Sequence, residues 1–183
     1  MSLAAYEDAR PWAKAIKEEV LTRRMPKWHA ARGYGDFSND PSLSPFEIAL
    51  IAAWADGGAP KGTDAEAREG IADVVDSRRA AQNPDAPTVS VPCGDQPLPA
   101  GVLLAIRPQI EARASIGMSV SLPDGRREIL GYIRGFEPDF ATTYWLRAPL
   151  DLPPGSRVVT ELTSAQQGSS LACSLAITIQ ERR

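Results

Sequence analysis

A chain of 183 residues, 43% hydrophobic and 23% charged, has the composition of a soluble globular protein and the length of one large or two small domains. Its formal net charge of −3 excludes a general nucleic-acid surface, which needs clustered excess Lys and Arg. No apolar run approaches the roughly 18 residues of a membrane span, and no basic-then-apolar N-terminal segment marks a secretion signal.

The first predicted helix runs from Ala9 to Leu21, where Ala9, Trp12, Ala13, Ile16, Val20 and Leu21 recur at helical spacing. Pro11 is tolerated near its start, where backbone N–H groups lack partners in any case. Glu7 and Asp8 carry the favourable sign for that end. Pro26 is expected to end the helix, since the residue before a proline is pushed out of the α region. Met25 is then placed at the helix end. From Ala31 to Leu43 the glycines, Asn39, Asp40 and Pro41 predict a loop. The second helix opens on Ser44-Pro45-Phe46-Glu47, a capping box with proline at the first helical position, and Gly57-Gly58 stops it. A weaker helix is predicted over residues 64–79, with Thr63 and Glu66 as a second capping pair.

At Gln82-Asn83-Pro84-Asp85-Ala86-Pro87 the composition changes and the hydrophobic period changes with it. Strands are predicted at Thr88–Val91, Val102–Ile106, Gly117–Leu122, Glu128–Arg134, Thr142–Leu146, Arg157–Leu162 and Leu171–Ile179. Pro123-Asp124-Gly125-Arg126 reads as a hairpin turn and Pro153-Pro154-Gly155 as another break. Short strands separated by regular turns suggest an antiparallel sandwich. The fold class is therefore α+β, with N-terminal helices followed by an antiparallel β-sandwich.

Candidate chemistry is sparse. His29 is the only histidine, so a site held by several imidazoles cannot be assembled, and with no partner serine identified a Ser-His-Asp triad is not indicated. Cys93 and Cys173 are far apart and not in C-x-x-C spacing, so they cannot attach a c-type haem. They form one structural disulfide if the protein is exported, and two unrelated thiols if it is not. Trp28, Trp54, Tyr144 and Trp145 are expected in the core.

Three stretches carry a resemblance. Tyr6-Glu7-Asp8-Ala9-Arg10-Pro11-Trp12, Met25-Pro26-Lys27-Trp28-His29, and Phe37-Ser38-Asn39-Asp40 through Ile51-Ala52-Ala53-Trp54-Ala55-Asp56-Gly57-Gly58-Ala59-Pro60 follow one group. They resemble the later part of the monohaem cytochrome c domain attached to copper ascorbate-dependent monooxygenase-like proteins of bacteria. In that family Met25 would be an axial ligand of haem c. The attachment motif C-x-x-C-H, expected just upstream, is absent, so the resemblance implies a domain that starts before this chain. The second half is similar to the C-terminal sandwich of the same proteins. The similarity runs through Leu103-Leu104-Ala105-Ile106-Arg107-Pro108-Gln109-Ile110-Glu111, Leu122-Pro123-Asp124-Gly125-Arg126-Arg127 and Thr142-Thr143-Tyr144-Trp145-Leu146. There the first block normally reads H-P-H-M-H and holds type II copper. Here the three histidine places are Arg107, Gln109 and Glu111, which alternate and so share one strand face. The scaffold is kept and the copper ligands are replaced.

The expected organisation is a partial cytochrome c-like helical domain at 1–62, a linker at 63–87 carrying the weaker helix, and a sandwich at 88–183. The resemblance implies part of a periplasmic electron-transfer protein, with haem c in the full-length form and a redox protein as partner, though the chain as given holds no cofactor. The alternative is a non-enzymatic binding or scaffold module. A third reading is a copper-dependent monooxygenase, against which stands the need for several imidazole or thioether donors where there is one histidine.

Overall fold

The computed structural model describes residues 3, 5–63, 83, 85–164 and 171–181. The helix predicted over 64–79, and with it most of the linker, lies outside the described residues. The chain divides into two compact units, one of residues 1–28 and 41–76, the other of residues 29–40 and 77–183.

In the helical unit, α1 (Tyr6–Ala9) passes through a 3-10 turn at Arg10–Trp12 into α2 (Ala13–Leu21). One continuous helix was the expectation. Pro11 supplies the physical reason for the tightening, because it has no N–H to donate to the preceding turn. The α2 helix stops at Leu21, four residues short of Met25. Arg23 takes a left-handed conformation, φ +55°. The Arg24 N–H donates to Glu19 O at 2.9 Å and the Arg23 N–H to Val20 O at 3.1 Å. These are the two bonds of a Schellman cap, which ends the helix before Pro26 can act on it. Met25 therefore sits in the turn beyond the helix.

The α3 helix (Pro45–Asp56) begins as expected. Ser44 Oγ accepts from Glu47 N at 3.2 Å, and the Ser44 N–H donates to Glu47 Oε2 at 2.7 Å. It packs against α2, with Lys17 paired to Asp56 at 2.6 Å. The Tyr6 hydroxyl donates to Ala59 O at 2.7 Å and fixes the chain leaving α3.

The other unit is two four-stranded antiparallel sheets. Their strands are β1 (Thr88–Pro92), β2 (Asp95–Pro97), β3 (Gly101–Ile110), β4 (Ala114–Ser121), β5 (Arg127–Phe136), β6 (Tyr144–Leu152), β7 (Arg157–Ser164) and β8 (Cys173–Gln180). The sheet orders are β1-β8-β3-β6 and β2-β7-β4-β5. The core between them includes Leu103, Ile106, Ile116, Val120, Ile133, Leu152, Val158, Leu175 and Ile177, all buried. The strand missing from the sequence pattern is β2. Three residues of Asp-Gln-Pro have no strand propensity of their own, and they pair only along β7, with Asp95 held by Arg157 at 2.7 Å. Pro108 and Pro149 are both placed inside strands. Pro108 lies past the point where β6 stops flanking β3, and β6 is a sheet edge, so neither proline deprives a ladder of a needed donor.

Residues His29–Asp40, most of which fall in the loop predicted from Ala31 to Leu43, form a strap across one open side of the sandwich. At one end the Ala31 N–H donates to Tyr132 O (2.8 Å) and Arg134 N–H to His29 O (2.7 Å), covering the edge of β5. At the other, the Ser38 N–H donates to Trp145 O (2.8 Å) and Arg147 N–H to Asp36 O (2.9 Å), covering the edge of β6. Asn39 completes this end, donating to Thr143 O at 2.7 Å and accepting from Trp145 N at 3.0 Å. Phe37 is buried, its ring 5.2 Å from that of Tyr144. Gly35 makes the close passage possible. It has φ +79°, and a Cβ there would collide with the Leu130 carbonyl oxygen.

Tyr144 is fully buried, whereas Trp28, Trp54 and Trp145 are half-buried. Burial pushes the Tyr144 hydroxyl above its ordinary 10.0. A raised folded-state value means that the native protein keeps this proton longer than the unfolded chain does. The associated stability is complete below the unfolded value and declines as pH rises past it. Tyr144→Phe should therefore flatten the loss of stability above about pH 10. Urea midpoints measured on either side of that pH check this, and an equally steep alkaline decline in the variant would assign it to other groups.

Candidate functional sites

Met25 is 49% exposed in the turn after α2, so its thioether is available to a ligand. The wall expected behind it is α3, which is apolar on nearly every side through Phe46, Ile48, Leu50, Ile51, Ala52 and Trp54. None of its residues is buried: Phe46 is 72% exposed and Leu50 53%. A helix that is hydrophobic all round is ordinarily a buried one. Trp12 and Leu21 are also half exposed.

The residues of this chain do not by themselves fit a c-type haem. Both cysteines are consumed in the Cys93–Cys173 disulfide, and no cysteine is free. The single imidazole, His29, belongs to the strap of the other unit.

In the sandwich, Arg107, Gln109 and Glu111 are all exposed, while Pro108 and Ile110 between them are buried. The three side chains do share one face, as their alternation predicts. They line a cleft of about 430 Å³ together with Ser174, Phe136 and Pro138. Ser174 Oγ donates to Gln109 Oε1 at 2.9 Å. Chemically this is a donor-rich lining with one carboxylate. Glu111 offers a cation one hard oxygen, and the neighbouring Arg107 charge opposes it. Among the described residues no group of three or more His, Cys, Asp or Glu side chains could hold a metal ion.

Cys93 follows β1 and Cys173 opens β8, and the Cys93 N–H donates to Cys173 O at 3.0 Å. The disulfide so closes the edge strand β1 onto β8 beside the Arg107 cleft.

No family model matches this chain, and no curated protein matches it. The sites accordingly rest on the geometry of the chain. Sequence reasoning brought Arg107, Gln109 and Glu111 together correctly. It did not anticipate Phe136, Pro138 or Ser174 beside them, because those come from other strands and turns. It also missed a groove on the opposite sheet around Gly117 and Gly131. Two glycines within strand patterns were the available signal for it.

Proposed function

We propose that this chain is part of a periplasmic c-type redox protein, with the helical unit as the methionine-bearing portion of a haem domain. The observation that supports this reading is the exposure of Phe46 and Leu50 on the apolar α3, with an accessible thioether in the same unit. Haem, when bound, supplies reversible one-electron chemistry, and a thioether ligand raises its potential relative to more basic ligands. What this chain offers is the thioether of Met25 and an apolar surface that excludes water. The attachment cysteines and the second axial ligand would come from residues outside it. A disulfide in the sandwich is in keeping with an oxidising compartment.

The test is a form of the protein extended upstream to include a C-x-x-C-H segment. In it, Met25→Ala should abolish the sulfur-to-iron charge-transfer band and lower the midpoint potential, while Met118→Ala in the sandwich should do neither. Expressed as the present 183 residues, the protein should carry no covalent haem on a denaturing gel. An unchanged band and potential in Met25→Ala would overturn the assignment.

A second reading is supported by the Arg107 cleft. Where the sandwiches it resembles would place imidazoles, this one has Arg107, Gln109 and Glu111. That lining suits a polar ligand rather than copper, and makes the sandwich a non-enzymatic binding or scaffold module. Metal analysis of protein dialysed against copper should then find no stoichiometric copper.

A further inference from the structure

The outward face of the sheet β2-β7-β4-β5 carries a groove of about 410 Å³ that neither reading uses. Its floor is Gly117. Across the β4–β5 pairing Gly117 stands opposite Tyr132, and across β4–β7 it stands opposite Glu161. A Cβ at Gly117 would lie 3.8 Å from the Tyr132 ring and 3.9 Å from Glu161 Cβ, so the missing side chain is what leaves the trough open.

One wall is aromatic. The strap brings Tyr34 to Tyr132, ring centroids 5.8 Å apart with planes at 52°, and Tyr34 remains 50% exposed. The other wall is polar. Arg127 donates to Ser119 Oγ at 2.9 Å and to Glu161 Oε1 at 3.3 Å. Beside it Ile129 is 60% exposed. A ring laid over a strand glycine is a known way to support a sheet, and this accounts for Tyr132. It does not account for Tyr34, which comes from outside the sheet and remains half exposed.

The chemistry of the two walls narrows the ligand. Arg127 and Glu161 neutralise each other, so neither a phosphate nor a cation gains a full opposite charge here. Together they still offer both hydrogen-bond donors and acceptors to the hydroxyls of a ligand. The rings offer flat apolar faces at low conformational cost. A molecule with a flat C–H face and a rim of hydroxyls matches both walls. We propose that this groove binds a neutral carbohydrate chain, with sugar rings stacked on Tyr34 and Tyr132 and hydroxyls held by Arg127 and Glu161.

The full chain, titrated with cellohexaose, xylohexaose, mannohexaose and hexa-N-acetylchitohexaose and followed by amide NMR, tests this. At least one should shift the Gly117 and Gly131 amides. Tyr34→Ala should weaken that binding by roughly tenfold or more, Tyr34→Phe should restore it, and Glu161→Gln should weaken it. Arg107→Ala, in the other cleft, should leave it unchanged, and oligogalacturonate should bind less well than the neutral chain. Thermal midpoints of Tyr34→Phe and Glu161→Gln establish folding independently of Tyr34→Ala. Absence of binding by all four sugars, equal binding by Tyr34→Ala, or preference for the anionic chain would each overturn the proposal.

Discussion

Phe37→Ala is expected to lower the unfolding free energy by about 3–5 kcal/mol, the range for deleting a buried phenyl group whose cavity cannot collapse. Collapse is prevented because the strap is held at both ends. Its backbone is bonded to β5 through Ala31 and to β6 through Ser38, so the loop cannot sink into the space that the ring leaves. The ring itself lies against Tyr144 and close to Gly131, where a Cβ would come within 2.9 Å of Phe37 Cζ. The substitution should also raise amide exchange at Ala31 and Ser38, because the ring anchors the segment that carries them. Chemical denaturation together with hydrogen exchange measures both. A loss below about 1 kcal/mol, the level typical of surface changes and mild truncations, would show that the strap only lies on the sandwich.

Replacing both Cys93 and Cys173 by alanine is expected to cost about 4 kcal/mol on the chain-entropy model. The bond closes a loop with a sequence separation of 80 residues, and the unfolded ensemble gains that freedom when it is removed. The effect should concentrate on β1, which pairs with β8 alone. Denaturation of the oxidised protein against the double variant measures the total, and exchange at Val89 and Val91 measures the local share. A difference under about 1 kcal/mol would mean that the β1–β8 ladder holds itself, with the unfolded chain already compact around the two cysteines.

Much of the architecture was legible in the residues because it depends on short-range rules. Ser44 and Glu47 form their capping box from a spacing of three, whatever else the chain does. The change from helical period to alternation after Pro87 marks where the sandwich strands begin, since a half-buried strand must place every second residue inward. The turn at Asp124-Gly125 was legible for the same reason, Gly125 supplying φ +86° between β4 and β5. The common face of Arg107, Gln109 and Glu111 also follows from alternation alone.

What tertiary structure decided lies where a residue's role depends on a distant partner. The strap from His29 to Asp40 looks like a loop because its glycines and Asn39 break every period. Only the unfilled edges of β5 and β6 turn it into a covering segment. Strand β2 exists because β7 offers it a ladder, against its own propensity. The α2 helix ends at Leu21, well before Pro26, because the left-handed Arg23 lets the Schellman bonds to Glu19 and Val20 close it. The sugar-sized trough at Gly117 depends on three strands and the strap meeting at one point, a coincidence that no periodicity records.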